Sequence, residues 1–223
     1  MAILAKASGG GDFQLAPQGQ FAAVCYEVID LGTQHNPNYG TNSPKVLIRF
    51  ELHGENQLGD GSGYMLDMAG QPDPEKPFII GNKFTVSLSE KSVLRPFLQS
   101  WRGRPFTEEE LEGFDVSKLL GAACMLTIQH ERSQKDATKT FAKIASISPL
   151  LKSIQKPQPV NKLRLFEVNP WQQHAFEELP DWMKDIIKLS PEYREATHPL
   201  GGEGGGTPMK ISNDVPFDDD IPF

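Results

Sequence analysis

The feature that most limits what this chain can become is a change of hydrophobic period within its first 150 residues. From Lys45 to Leu52 apolar residues recur at every second position, with Val46, Ile48, Phe50 and Leu52 on one face and Lys45, Leu47, Arg49 and Glu51 on the other. Side chains alternate across a strand, so this pattern predicts a strand with one face in a core. Phe78 to Leu88 repeats it, with Phe78, Ile80, Phe84, Val86 and Leu88 inward and Lys83, Thr85 and Ser87 outward. The period then lengthens. Leu94, Phe97, Leu98 and Trp101 stand at i, i+3, i+4 and i+7, a helical stripe that Ser92 can cap and Pro96 limits or kinks. Thr107-Glu108-Glu109-Glu110 has the form of a capping box and predicts a second short helix. Ala122 to Glu131 and Thr140 to Ile147 return to strand character, split by a hairpin tip, residues 132–139, that is rich in basic side chains.

Ahead of these elements, Phe21 to Leu31 is rich in strand formers and closes on Gly32. Gly32 to Pro44 is dense in Gly, Asn, Pro and Thr and predicts a loop carrying Tyr39. Gly54 to Pro77 predicts a long connection with a short strand around Tyr64 to Met68. The order is three strands, a helical segment, then two strands. A mainly β domain follows, a five-stranded OB-type Greek-key barrel with its helix between strands 3 and 4.

The expected plan is a flexible N-terminus over 1–16, the OB-fold domain over 17–150, an extension over 151–200 and an acidic tail over 201–223. In the extension, Pro157 to Pro170 is punctuated by prolines. Trp171 to Ala196 is amphipathic, with Trp182, Ile186, Ile187 and Leu189 as its apolar positions, and predicts helices packed against the barrel or a second subunit. Gly201 to Pro208 reads as a flexible linker. In the final 23 residues five acids face one base, so too little apolar surface is present to offset ordering.

A net charge of −7 argues against nucleic-acid binding only if taken as one number. Residues 1–156 hold sixteen Lys and Arg against seventeen Asp and Glu, and a nearly balanced body can present a positive groove because the local field attracts phosphates. The start of the chain lacks the basic-then-apolar layout of a secretory signal, and no long apolar run is present, so a cytoplasmic protein is expected. Cys25 and Cys124, both in strand-like contexts, read as reduced core thiols.

Enzyme chemistry is not indicated. The cysteines and five histidines show no metal-ligand spacing, no Gly-x-x-x-x-Gly-Lys-Ser/Thr loop occurs, and the carboxylate runs at Glu108 to Glu110 and Asp218 to Asp220 are not preorganised for a cation. No cofactor is expected. Binding an unpaired strand instead needs cations for phosphates and flat rings for bases. The candidates are Lys45 and Arg49 on one strand face, Lys83 on the third strand, and Phe141 and Lys143 on the fifth. Arg132, Lys135 and Lys139 surround the hairpin tip, with Tyr26 on strand one and Tyr39 in the loop after it. Core packing is an equal reading for Tyr26 and Phe141, and the favoured one for Phe50, Phe84, Phe97 and Trp101.

The ending Asp218-Asp219-Asp220-Ile221-Pro222-Phe223 resembles the C-terminal tip of bacterial single-stranded DNA-binding proteins, which recruits replication and repair enzymes. In such a tip Ile and Phe fill a small apolar pocket while basic residues hold the acids. Val28 to Gln34, Leu88 to Ser92, Trp101 to Thr107 and Leu119 to Gly121 resemble a group of phage and prophage single-stranded DNA-binding proteins over roughly residues 17–150. That resemblance implies an OB barrel that coats single-stranded DNA during phage replication, recombination or repair in a bacterial host cell. The implied partners are single-stranded DNA and host or phage replication and recombination proteins, with a homo-oligomer left open. Two rivals stand beside it: an interaction protein that mimics the host tail, and an RNA-binding OB module.

Overall fold

The computed structural model describes residues 14–37, 40–133, 136 and 139–198. Its frame is a long hairpin of β1 (Gly19–Asn36) and β2 (Thr41–His53), paired antiparallel from Ala22 opposite His53 to Asn36 opposite Thr41. The loop expected over 32–44 is therefore mostly ladder. Its polar residues tolerate a strand because they are held from outside: Gln34 Nε2 donates to the carbonyls of Leu31 and Ile186, and Thr33 donates through its N–H and Oγ1 to Glu192. A bulge between Cys25 and Glu27 shifts the alternation of β1 by one residue. Phe21, Ala23, Cys25 and Val28 thus face one cluster and Ile29 and Leu31 the other.

Beyond this hairpin, β3 (Tyr64–Leu66) and β4 (Pro72–Pro77) form a small separate hairpin. The long stretch expected as a connection is thereby more ordered than its glycines suggest. β5 (Ile79–Thr85) pairs with β2, β6 (Ala123–Arg132) with β1, and β7 (Thr140–Pro149) with β6, all antiparallel. β8 (Arg164–Phe166), absent from the sequence expectation, adds parallel to Glu27–Ile29 of β1. The main path runs β5-β2-β1-β6-β7, a mainly β architecture whose sheet does not close, with no ladder from β5 to β7 among the described residues.

Between β5 and β6, α1 (Leu94–Arg102) buries Leu94, Leu98 and Trp101 against the inner face, as its 3.6-residue stripe requires. Phe50 meets Trp101 edge-on at 5.2 Å, and Trp101 Nε1 donates to the carbonyl of Ala123. Pro96 falls in the first turn, where no intrahelical donor is lost, so the helix continues past it. α2 (Glu108–Glu112) begins with the expected capping box, both reciprocal bonds between Thr107 and Glu110 being present.

The chain beyond β7 does not stand apart from the sheet. α3 (Gln173–Glu177), α4 (Asp181–Lys188) and α5 (Pro191–Thr197) follow, and Phe176 of α3, Leu179 of the connection after it, and Met183 and Ile187 of α4 pack onto the outer face of β1 and β2, joining Ile29, Leu31 and Leu47. Of the apolar positions expected on this extension, Ile187 is buried and Leu189 is exposed. Gly32, at φ 68°, lies where an added Cβ would come 2.6 Å from Cβ of Ser190, the residue that caps α5. The N-terminal stretch expected to be flexible is also pinned at its described end. Gln14 exchanges two hydrogen bonds with the backbone of Leu66, and Ala16 is buried. No helix among the described residues is long and apolar enough to cross a membrane.

Candidate nucleic-acid interface

The register of β2 with β5 sets Lys45 opposite Thr85, Leu47 opposite Lys83 and Arg49 opposite Gly81, all directed to the outer side of the sheet. The extension buries Leu47, while Lys45, Arg49 and Thr85 are half-buried. What remains open is a groove of about 520 Å³ between β5 and the start of α1. Lys45, Lys83 and Lys91 line it together with the hydroxyl residues Thr85, Ser87, Ser89 and Ser92, and no carboxylate is among its described lining residues. Lys45 Nζ donates to Thr85 Oγ1 at 2.9 Å, which fixes that ammonium at the groove wall. Ammonium groups supply charge and the hydroxyls supply short donors, a combination suited to phosphate oxygens.

Lys45 and Lys83 are thus brought together as the sequence suggested. Lys91 was missed because it follows the last periodic strand residue. The run Ser87-Leu88-Ser89-Glu90-Lys91-Ser92, with three hydroxyls around the lysine, is a signal that could have found it.

Tyr26 and Arg49 do not line this groove. Tyr26 is 5% exposed, and desolvation pushes its phenol well above the ordinary value, so the ring is not offered to a base. Arg49 Nη1 lies 2.7 Å from Glu27 Oε2, and Arg164 Nη1 lies 2.7 Å from Glu27 Oε1. The guanidinium of Arg49 also sits 5.5 Å from the Tyr26 ring centre and 6.0 Å from that of Trp182. The alternation of β2 identified its two faces correctly. It carried no sign that a segment more than 100 residues away would cover the second one.

The other candidates do not line the groove. Arg132 and Lys139 are exposed at the β6–β7 hairpin, Lys139 lying 3.7 Å from Asp136. Lys143 pairs with Glu131 at 2.8 Å, and Phe141 is half-buried. Tyr39, Lys135 and the tip residues Asp218, Asp219, Asp220, Ile221, Pro222 and Phe223 lie outside the described residues.

Neither a family model nor a curated protein matches this chain.

Among the described residues no cluster of His, Cys, Asp or Glu is arranged to hold a metal ion. Cys25 and Cys124 are free and buried, and burial pushes the Cys25 thiol up to about 12 and Cys124 well above its ordinary value. Neither is a nucleophile at neutral pH.

The extension is clamped to β2 by Glu51, which accepts hydrogen bonds from the N–H of Val160, the N–H and Nδ2 of Asn161, and His53 Nε2. Burial pushes this carboxyl up, but the hydrogen bonds outweigh it and hold it below its ordinary value of 4.5. A lowered folded-state value means the stabilisation is complete above the ordinary carboxylate range and is lost as pH falls through the lowered one. Acidification below about pH 4.5 should therefore release residues 160–161. Hydrogen exchange at Val160 and Asn161 should rise over that window in the unmodified chain and be raised at every pH in Glu51→Gln. An unchanged acid profile in Glu51→Gln would show that another group controls the clamp.

Proposed function

We propose that this chain binds single-stranded DNA through an OB-type barrel and recruits partner proteins through its acidic tip. The observation that carries the first half is the β5 groove, where three lysines and four hydroxyl residues converge without a carboxylate in the lining. The strand path supports the fold. Joining β5 to β7 would complete the cyclic order of an OB barrel, α1 and α2 occupy the interval between its third and fourth strands, and barrels of this type are often partly open. The second half rests on Asp218 to Phe223 as they stand in the sequence.

One set of titrations tests both halves. Oligo(dT) should bind more tightly than a matched duplex, with an affinity that falls as salt rises by a slope of about −0.7 per phosphate contact. A matched RNA oligomer separates the RNA-binding reading, since preference for it would reassign the ligand. Deleting Phe223 should leave oligo(dT) affinity unchanged and abolish capture of a tip-binding host replication protein. Absence of binding to any strand at low salt would leave the interaction-protein reading in place.

A further inference from the structure

A hydroxyl group can accept as well as donate, so what the groove recognises depends on which of these roles its own protein contacts use up. In this wall they use up acceptors. Thr85 Oγ1 accepts from Lys45 Nζ at 2.9 Å, Ser92 Oγ accepts from the N–H of Arg95 at 3.3 Å, and Ser89 Oγ accepts from Ser87 Oγ at 3.2 Å. The direction of the last bond is set by Ser87, whose oxygen already takes the N–H of Ser89 and so turns its proton to the Ser89 hydroxyl. The carbonyls of the same loop also have donors within the protein. That of Thr85 accepts from the N–H of Ser87 at 2.8 Å, that of Ser89 from the N–H of Ser92 at 3.0 Å, and that of Leu88 from Arg95 Nη1 at 3.4 Å.

Thr85, Ser89 and Ser92 are thus left with a proton to give, and a hydroxyl that already accepts is the stronger donor. Beside them stand the ammonium groups of Lys45, Lys83 and Lys91. Base edges carry donors and acceptors in alternation, whereas a phosphodiester carries charge and acceptors alone. The wall matches the second. Phe84, the sole aromatic among the described lining residues, is 4% exposed and packs on Phe97, so its ring is not offered to a base.

We infer that this groove is a base-blind phosphodiester seat: Thr85, Ser89 and Ser92 donate to phosphate oxygens that the three lysines attract, and the bases of the strand take no part in binding there. This rests on the reading of the groove as a strand site and deepens it, because it names the backbone as what is recognised. Preference for a single strand then comes from flexibility, since a single strand can turn successive phosphates into the groove and a stiff duplex cannot.

Three oligomers of equal length separate phosphate from base: oligo(dT), an abasic deoxyribose-phosphate strand, and a methylphosphonate oligo(dT) that keeps its bases without charge. In fluorescence-anisotropy titrations the abasic strand should match oligo(dT) within about twofold, since one stacked base alone is worth about fivefold or more. The methylphosphonate should not bind. Ser89→Ala, at an exposed position, and the isosteric Thr85→Val should each weaken oligo(dT) and the abasic strand in parallel, by roughly fivefold, with no change of salt slope because no charge is altered. An abasic strand bound tenfold or more weaker than oligo(dT), or a methylphosphonate that binds, would overturn the inference and leave the single-strand function standing. Full affinity in both hydroxyl variants would overturn the donor role. A duplex bound as tightly as a matched abasic strand and oligo(dT) would overturn the single-strand function and leave the seat. Failure of all three oligomers to bind the unmodified chain overturns both.

Discussion

Glu27→Gln should lower the folding stability of this protein by about 3–5 kcal/mol, the usual cost of removing one partner from a buried ion pair. Glu27 is fully buried, and its two oxygens each lie 2.7 Å from a guanidinium, Arg49 from β2 and Arg164 from β8. The carboxylate is what allows two positive charges to sit under the extension. An amide of the same shape offers one acceptor and turns its donor toward the other arginine, so at least one buried charge is left uncompensated. Urea unfolding should show the midpoint moving with little change in slope. The exposed pair of Lys162 with Glu178 at 3.4 Å is the comparison, and Lys162→Ala should change stability by less than about 1 kcal/mol. Replacing all three members, Glu27, Arg49 and Arg164, with apolar residues of similar volume should recover part of the loss. A Glu27→Gln protein as stable as Lys162→Ala would mean that water reaches the triad and that the extension is held by its apolar contacts alone.

The contrast between Glu27 and Lys45 also shows where the sequence was informative. Period two on β2 and β5 and period 3.6 on α1 located the inner core, and the Thr107 capping box was realised with both of its bonds. These are local patterns, set by neighbours in the chain. The outer face was not legible, because Leu47 and Glu51 are buried and Arg49 half-buried where residues 160–187 pack, and the pattern of prolines and scattered apolar side chains in that segment does not say what it covers. A charged residue at an outward strand position reads as solvated by default, and it is the counter-charge of Glu27, shared with Arg164, that makes Arg49 structural. Lys45 instead lines the open groove beside β5.

The triple substitution Lys45→Glu, Lys83→Glu and Lys91→Glu should weaken oligo(dT) binding by roughly a hundred- to a thousandfold at low salt. Three cations that line one groove become three anions there, so the change removes counterion release and adds repulsion of the phosphates. The dependence on salt should flatten accordingly, the slope losing about 2 in magnitude if all three lysines meet phosphates. Stability should move little, because Lys91 is exposed and the hydrogen bond from Lys45 to Thr85 lies at a half-buried site. Thermal unfolding of the variant therefore separates loss of binding from loss of fold. The matching substitutions at the other cation group, Arg132→Glu and Lys139→Glu, should have a smaller effect, since Lys139 already lies near Asp136 and neither residue lines the groove. If the hairpin variants lose more affinity than the groove variants, the strand runs over the β6–β7 tip instead. Full affinity in the triple variant would end the assignment of the β5 groove, whatever the hairpin does.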